Sequence, residues 1–271
     1  MSGGADSLAL LVLAVEAGCA VTAVHVDHGL RRGSAGEADV VRAAAERWGA
    51  GFVALRVEVP PGPNQEARAR AARYAALPAG ALTGHTADDQ AETVLLNLVR
   101  GAALDGLAGM DPARRPLRRL RRSETRALCG ALGLAPVADP SNDDPAFRRN
   151  RVRHELLPLL SAIAERDVVP VLARQADLAR DDARVLDDLA AALDPTDAGA
   201  LAAAPASLAR RAVRAWLRAG GPGGAERHPP DAAAVARVLA VARGEAVACE
   251  VAGGWRVART AGRLRLEAPG G

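Results

Sequence analysis

Short apolar segments alternate with helical segments along the first hundred residues, and this alternation most constrains the fold. Apolar runs at 20–26, 51–59 and 80–83 have the length of buried strands. Helical spacing predicts helices over 8–17, 37–48, 65–77 and 88–100, the last closed by Gly101. This order predicts an α/β fold, a parallel sheet with helices on both faces. Ligands of such sheets bind at the carboxyl ends of the strands, so we expect the chemistry in those loops.

The pattern changes after about residue 151, where Ala, Leu, Arg and Asp dominate and prolines limit the length of each helix. We therefore predict two domains, 1–155 and a smaller, mostly helical one at 156–271. Residues 220–224 are predicted to form a loop, and 246–266 to contain two short strands around Gly253 and Gly254.

Composition excludes several classes of protein. Hydrophobic residues make up 49% of the chain, but no apolar run reaches the roughly 20 residues of a membrane span. The N-terminus lacks the features of a signal peptide, so we expect a cytoplasmic protein without membrane contact. The chain's three cysteines, Cys19, Cys129 and Cys249, are far apart and indicate neither a disulfide framework nor a thiolate metal site.

The chain contains no lysine, so all 35 residues counted as Lys or Arg are arginines. Walker A ATPases, Schiff-base enzymes and Ser-Lys hydrolases each need a lysine amine at the reacting atom. These three chemistries are therefore excluded.

The arginines form two clusters, although the formal net charge is only +3. The clusters contain the following residues: Arg114, Arg115, Arg118, Arg119, Arg121 and Arg122, then Arg148, Arg149, Arg151 and Arg153. Such clusters are typical both of an ordinary solvated face and of a surface that binds nucleic acid. Because Phe147 is the one aromatic residue nearby, the sequence favours contact with backbone phosphates over base stacking.

A glycine-containing loop precedes the first apolar helix, and its members are Ser2, Gly3, Gly4, Ala5, Asp6 and Ser7. Two glycines let the backbone approach a phosphate closely, and Ser7 is predicted to cap the helix whose N–H groups face the anion. A carboxylate within such a loop, at Asp6, suggests a bridging Mg²⁺ or a nearby amine. The alternative is a flexible, capped chain terminus.

Two further segments lie at predicted strand ends. The first runs from His25 to Arg31 and includes His28; it shows no metal-ligand spacing, so its histidines are also consistent with polar residues at a strand end. The second places Asp88, Asp89 and Glu92 near one helix start. Acids there stabilise the helix dipole after a Thr86 cap, but three acids would also suit an ammonium group or Mg²⁺.

The loop SGGADS resembles the SGGxDS PP-loop of the ATP pyrophosphatases, enzymes that cleave ATP to AMP and pyrophosphate. The downstream segments resemble those of tRNA(Ile)-lysidine synthetases in particular, and in the same order. They are HVDHGLR, the helix from Asn64 to Tyr74, HTADDQAET with Arg100-Gly101 and GLAGM, Arg115-Pro116-Leu117, DPSN at 139–142, and RNRVR at 149–153. The resemblance is dense over residues 2–160.

This resemblance implies a ligase that forms a C–N bond. ATP with Mg²⁺ would adenylate the C2 oxygen of the wobble cytidine in tRNA(Ile) with a CAU anticodon, and free L-lysine would displace AMP. The implied catalytic residues are Asp6, which also holds the metal, Asp89 and Arg115. Ser2 to Ser7 and His28 would bind the nucleotide. The implied substrate-binding residues are Asp88, Asp89, Glu92, Arg100, Asp139, Asn142, Arg149 and Arg153. A homodimer is a further possibility.

The sequence departs from the family pattern at two places. Thr86 stands where a second histidine is expected, and only Met1 precedes the PP-loop, where the family has a buried strand. We therefore expect a late-annotated start or a truncation. Two alternatives stay open: another PP-loop enzyme, such as a tRNA thiolase or an amide-forming synthetase, and an inactive relative that binds nucleotide or RNA.

Overall fold

The computed structural model describes residues 1–27, 34–59, 62, 65–137, 143–220 and 230–269. The chain divides into two compact units, Met1–Arg180 and Asp181–Gly271. The sequence places the domain boundary at 155/156, and the division between the units falls 25 residues later, inside one long helix, Val169–Ala191.

The first unit contains a parallel pair of strands and most of the helices. Strands β1 (Thr22–Asp27) and β2 (Gly51–Arg56) pair in parallel, from Thr22 opposite Gly51 to Asp27 opposite Arg56. The helices are α1 (Ala5–Glu16), α2 (Ser34–Arg47), α3 (Gln65–Ala76), α4 (Ala87–Val99), α5 (Leu104–Leu107), α6 (Arg122–Ala131), α7 (Arg148–Arg151), α8 (Leu157–Ile163) and α9 (Val169–Ala191). A π-helical turn, Val152–Leu156, joins α7 to α8. The predicted α/β class with a parallel sheet is confirmed.

Two predictions for the first unit are wrong. Helix α1 begins at Ala5 rather than at residue 8, so Gly4 is the N-cap and Ser7 lies inside the first turn. Residues 80–83 form no strand. Gly80 has a φ of +83°, and one backbone bond joins the segment to a distant part of the chain, from Thr83 N–H to the Arg114 carbonyl at 2.8 Å. A short apolar run therefore formed a single bridge in place of a ladder.

The core beneath the PP-loop is built from α1, α2, β1 and α6. Its buried members are Leu8, Leu11, Ala23, Val41, Ala44, Ala45 and Cys129. A second cluster joins α4 to the π-helical turn, α8 and α9 through Ala87, Ala91, Leu95, Val152, Leu157, Val168 and Val169. These two cores hold α1, α4, α6 and the π-helical turn in place, and the side chains of the candidate site come from these elements, from α7 and from their flanking residues.

The second unit contains helices α10 (Ala198–Ala203), α11 (Ala206–Gly220) and α12 (Ala232–Arg243). Strands β3 (Ala248–Val251), β4 (Trp255–Thr260) and β5 (Arg263–Glu267) form an antiparallel sheet in the order β3-β4-β5. The smaller, mostly helical domain is confirmed, but the region has three strands where two were predicted. Ala261 and Gly262, with φ of +49° and +77°, turn the chain between β4 and β5.

None of the helices in the described ranges is long and apolar enough to cross a membrane.

Truncation of Leu201 tests the core of the second unit. Leu201 is 2% exposed and belongs to the cluster that joins α10, α11, α12 and the sheet. We expect Leu201→Ala to lower the free energy of unfolding by about 2 to 5 kcal/mol, because a cavity remains where the side chain packed. Leu189, which is 53% exposed, is the matched control. Leu189→Ala should change stability by no more than about 0.5 kcal/mol in urea unfolding.

Candidate active site

The PP-loop closes tightly onto the start of α1. The Ser7 hydroxyl donates to the Gly4 carbonyl at 2.9 Å, and the N–H groups of Ser7 and Leu8 reach the same carbonyl at 3.0 Å. Gly3 has a φ of +72° and accepts a hydrogen bond from Val137 N–H at 3.0 Å. The first turn of α1 therefore leaves N–H groups at an apolar helix start, the arrangement that suits a phosphate.

Gly84 brings the segment before α4 against this loop. A β-carbon at Gly84 would lie 2.5 Å from the Asp6 carbonyl oxygen and 3.0 Å from the Ser7 nitrogen. Both are backbone atoms, which cannot move aside as a flexible side chain can. Only glycine lets these two segments approach so closely.

A buried hydrogen-bond pair starts α4. Thr86 is the N-cap, as predicted, and has no exposed surface. Its N–H and its hydroxyl donate to Oδ2 of Asp89 at 2.9 and 3.0 Å. This half of the capping box fixes the Asp89 carboxylate at the helix start.

Glu92 is fully buried, and its carboxylate accepts hydrogen bonds from three arginines. Arg149 Nε donates to its Oε2 at 2.6 Å, and Arg153 Nε to its Oε1 at 2.7 Å. Arg122 reaches Oε1 at 3.2 Å through each of its terminal nitrogens. As the four-residue spacing predicts, Arg149 and Arg153 share a face, and that face meets α4.

Arg122 also connects the acids of α4 with the PP-loop. Its Nη2 donates to Asp89 Oδ1 at 3.0 Å, and its Nε lies 3.7 Å from Asp6 Oδ2. Its backbone N–H donates to Asp88 Oδ2 at 2.7 Å. Arg121 completes this pairing with bonds of 3.1 and 3.2 Å to the Asp88 carboxylate. One residue therefore touches all four acids of the site.

The carboxylates differ in their tendency to ionise. Burial alone would raise the pKa of Asp88, but hydrogen bonds from Arg121 and Arg122 lower it overall. Burial is likewise outweighed at Asp89, where Arg122 and Arg149 lower the pKa. At Asp6 burial prevails over the Thr125 hydrogen bond and raises the pKa. Asp88 and Asp89 are therefore held as anions, as an ammonium ligand requires.

His85 directly precedes Thr86, the N-cap of α4, and interacts electrostatically with Asp89. Its Nδ1 is 2.8 Å from the Thr83 hydroxyl. Burial lowers the pKa of His85 to about 4, and the neighbouring arginines act in the same direction against the attraction of Asp89. The imidazole is therefore neutral at physiological pH.

The structure brings together some of the predicted site residues and leaves others apart. Asp6, Asp88, Asp89, Glu92, Arg149 and Arg153 form one connected network. Arg100 is exposed at the opposite end of α4, about 18 Å from Asp88 along the helix axis. Arg115 donates to the Asp111 carbonyl at 2.7 Å, outside the network, although its charge contributes to the low pKa of His85. His28, Asp139 and Asn142 lie outside the described residues.

Sequence reasoning missed two members of the site, Arg122 and Thr125. Arg122 belongs to a run of six arginines that are indistinguishable by spacing, and the Thr125 hydroxyl donates to Asp6 from 119 residues away. A possible signal was the acid three residues into α6, Glu124, which accepts from Arg121 N–H at 2.6 Å and marks where the arginine run enters a helix.

In the part of the chain that the structure describes, no three His, Cys, Asp or Glu side chains are placed to share a metal ion.

The approach of Gly84 to the PP-loop can be tested directly. We expect Gly84→Ala to destabilise the protein by about 1 to 3 kcal/mol and to weaken ATP binding, because the new methyl group collides with the Asp6 backbone. Gly130 in α6, where an added β-carbon meets nothing within 4 Å, is the control. Gly130→Ala should keep ATP affinity and raise stability by about 0.5 to 1 kcal/mol. Equal ATP affinity in both variants would contradict the steric argument.

The pKa of His85 predicts a pH dependence of stability. Because the folded-state pKa is about 4 and the unfolded value is 6.5, the unfolded chain binds more protons between these values. The stability that depends on a neutral His85 is fully present above pH 6.5 and is lost as the pH falls towards 4. We expect wild type to lose about 2 kcal/mol from this group between pH 7 and 4.5. His85→Gln should remove that part of the loss in urea unfolding; parallel pH profiles would contradict the assignment.

Comparison with known families agrees with this architecture. Residues 1–160 match a family described as a PP-loop domain, and residues 197–265 match one described as the TilS substrate binding domain. A U34-tRNA thiolase from Methanococcus maripaludis, solved with its [4Fe-4S] cluster, superposes with a TM-score of 0.51 at 17% identity, over 66% of this chain and 71% of that one. At that identity the likeness concerns the fold alone.

Two curated relatives cover most of the chain. The tRNA(Ile)-lysidine synthase of Nocardia farcinica is 48% identical over 236 residues, 80% of this chain and 74% of the relative. That of Salinispora tropica is 44% identical over 99% of this chain and 90% of the relative. With a PP-loop, a substrate binding domain and these identities in one chain, the protein belongs to the tRNA(Ile)-lysidine synthase family.

Proposed function

We propose that this enzyme joins free L-lysine to C2 of the wobble cytidine of tRNA(Ile) with a CAU anticodon, and releases AMP and pyrophosphate. The observation that carries the proposal is the guanidinium of Arg122. It meets Asp6 of the ATP loop at 3.7 Å and Asp89 of the acid cluster at 3.0 Å. A nucleotide site and a cation site thus share one side chain, an arrangement that suits a two-step reaction in a single site.

The PP-loop domain implies that the enzyme uses ATP. The phosphates are assigned to the loop Ser2–Ser7, where the α1 N-terminus offers N–H groups and Gly3 and Gly4 allow close approach. In the first step the C2 oxygen of the cytidine attacks the α-phosphorus and pyrophosphate leaves. In the second, the lysine amine attacks C2, AMP leaves, and the amine gives up a proton.

Asp6 is the residue that fits Mg²⁺. Its side chain is 26% exposed, and Oδ2 is its less engaged oxygen. Both oxygens of Asp89 and of Glu92 accept from arginine, threonine or backbone donors. Mg²⁺ is commonly bound by one or two carboxylates together with substrate phosphates and water, so a single protein ligand suffices. The ion would neutralise negative charge on the phosphates.

The lysine amine is assigned to Asp89, with Asp88 as the second anion nearby. Arginines lower the pKa of both carboxylates. Asp88 and Asp89 therefore bind and orient a cation better than they accept its proton. Glu92 has no exposed surface and both oxygens are bonded, so its assigned role is to hold Arg149 and Arg153. Those arginines, with Arg115 at the edge of the site, supply positive charge for the developing phosphate anions.

The tRNA is assigned to the basic clusters and to the second unit, which matches a substrate binding domain. Half of the first cluster is used internally, because Arg118 bonds Asp177 and Arg121 and Arg122 bond the site acids. Exposed Arg114 and Arg119 have no ion-pair partner among the residues the structure describes, and suit backbone phosphates. We expect the reaction in the cytoplasm; a homodimer stays a prediction.

A thiolase is the less favoured enzyme, and an inactive relative is the other alternative. Sulfur transfer calls for paired cysteines, and the three cysteines of this chain are single and scattered. An inactive relative would keep the same ion pairs for stability, and the transfer of labelled lysine distinguishes it from the enzyme.

The direct test is transfer of labelled lysine. The protein is incubated with ATP, Mg²⁺, labelled L-lysine and a tRNA(Ile) transcript carrying CAU. We expect stable label in the tRNA with stoichiometric AMP, and none with a transcript whose wobble base is uridine. A folded protein that binds ATP but leaves the tRNA unlabelled would refute the proposed function.

Two variants should separate the two chemical steps. Asp6→Ala should abolish AMP formation, because the ATP loop loses its carboxylate. Asp89→Ala should bind ATP within a few-fold of wild type but lose lysine transfer by about 100-fold or more. Asp39, whose side chain is 69% exposed on α2, provides the control, and Asp39→Ala should be fully active. Equal loss of ATP binding in the Asp6 and Asp89 variants would contradict the division of roles.

A further inference from the structure

Helix α6 presents a hydroxyl group to the carboxylate of the ATP loop. Thr125 is 1% exposed, and its hydroxyl donates to Oδ1 of Asp6. The same hydroxyl lies 2.9 Å from the Arg122 carbonyl, which fixes its rotamer. This contact joins two elements that are far apart in sequence, and the proposed reaction does not itself require a threonine there.

The other oxygen of Asp6 faces the second residue of this pair. Arg122 Nε stands 3.7 Å from Oδ2, longer than a hydrogen bond. Thr125 and Arg122 are three residues apart on α6 and therefore point to the same side of the helix. The Asp6 carboxylate is thus held between them, bonded firmly at one oxygen and only loosely at the other.

Cys129, one turn further along α6, provides an internal comparison. It is also 1% exposed, and its thiol lies 3.5 Å from the Ala5 carbonyl of the same loop. Cys129 supports the backbone of the PP-loop by packing. Thr125 is distinguished from it by a contact with the Asp6 carboxylate.

We propose that Thr125 is a positioning residue for ATP binding, an inference that rests on the proposed role of Asp6. The hydroxyl holds Oδ1 so that Oδ2 remains apart from Arg122 and available to Mg²⁺-ATP. Without it, Oδ1 loses its donor in a partly buried position, and the carboxylate turns towards Arg122 into a closer ion pair. Asp6 is then withdrawn from the nucleotide while the fold is kept.

The test compares three α6 variants in equilibrium binding of Mg²⁺-ATP, without tRNA or lysine. Thr125→Val removes the hydroxyl at nearly constant volume and should raise the Kd about tenfold, the effect of one charge-assisted hydrogen bond. Thr125→Ser keeps the hydroxyl and should restore binding to within about threefold of wild type. Gly130→Ala, also on α6, adds a methyl group that meets nothing within 4 Å and should leave the Kd unchanged. In turnover, the KM for lysine should stay the same in all three.

A double-mutant cycle with Asp6→Asn separates positioning from packing. If Thr125 acts through the carboxylate, Thr125→Val should have no further effect on the ATP Kd once Asp6→Asn is present. Independent, multiplicative effects would overturn the proposal, as would a Thr125→Ser variant as weak as Thr125→Val. If wild type binds ATP but transfers no lysine, the proposed function fails while the binding comparison still decides the role of Thr125. If wild type binds no ATP, both are refuted.

Discussion

A carboxylate without any exposed surface, that of Glu92, organises the site. A buried anion is tolerated only when cations and hydrogen bonds compensate its lost hydration, and Glu92 is matched by three arginines. Those arginines come from the start of α6, from α7 and from the π-helical turn. Their guanidinium groups repel one another unless the anion lies between them. The same charge therefore stabilises the convergence of three chain segments on α4.

The influence of Glu92 extends to the PP-loop, because Arg122 interacts with both Glu92 and Asp6. Its planar group bonds Glu92 and Asp89 at 3.2 and 3.0 Å, which sets the direction in which Nε approaches Asp6. A change at Glu92 therefore reaches the PP-loop without touching it. The contacts of the Arg122 guanidinium with Asp6 on one side and with Asp89 and Glu92 on the other link the nucleotide site to the acids of α4.

The sequence predicted those parts of the site that depend on neighbours along the chain. Thr86 as a helix cap and Arg149 with Arg153 on one face follow from spacings of three and four residues. The pairing of Glu92 with Arg122, 30 residues away, and with Arg149, 57 residues away, has no such spacing. It depends on packing of α4 against α6 and α7, which a single sequence does not encode in a readable way. The run Arg114–Arg122 predicted a basic surface, yet half of it is internal.

The errors in the fold have a similar origin. Residues 80–83 are apolar enough for a strand, but Gly80 takes a φ of +83° and Thr83 alone bonds a distant segment, at the Arg114 carbonyl, so no ladder forms. The first apolar residue predicts a start of α1 at Leu8, whereas Gly4 ends the loop and the helix begins at Ala5, three residues before Leu8. Local hydrophobicity does not decide the form of a segment, because Leu82 is 51% exposed and the backbone bonds of the segment determine its conformation.

A chain whose only strong cation is arginine has a particular relation to an ammonium ligand. Arg149 bonds Glu92 through Nε and Asp89 through Nη2, so one planar group spans two carboxylates. Oδ2 of Asp89 is held by Thr86, so a cation arriving at Asp89 must compete at Oδ1 with Arg122 and Arg149. Of these, Arg149 is the more exposed, at 30% against 15%. An incoming ammonium group therefore displaces Arg149 from Oδ1 more easily than it displaces Arg122. Because an ammonium group is a compact point charge, this one oxygen is enough to bind it.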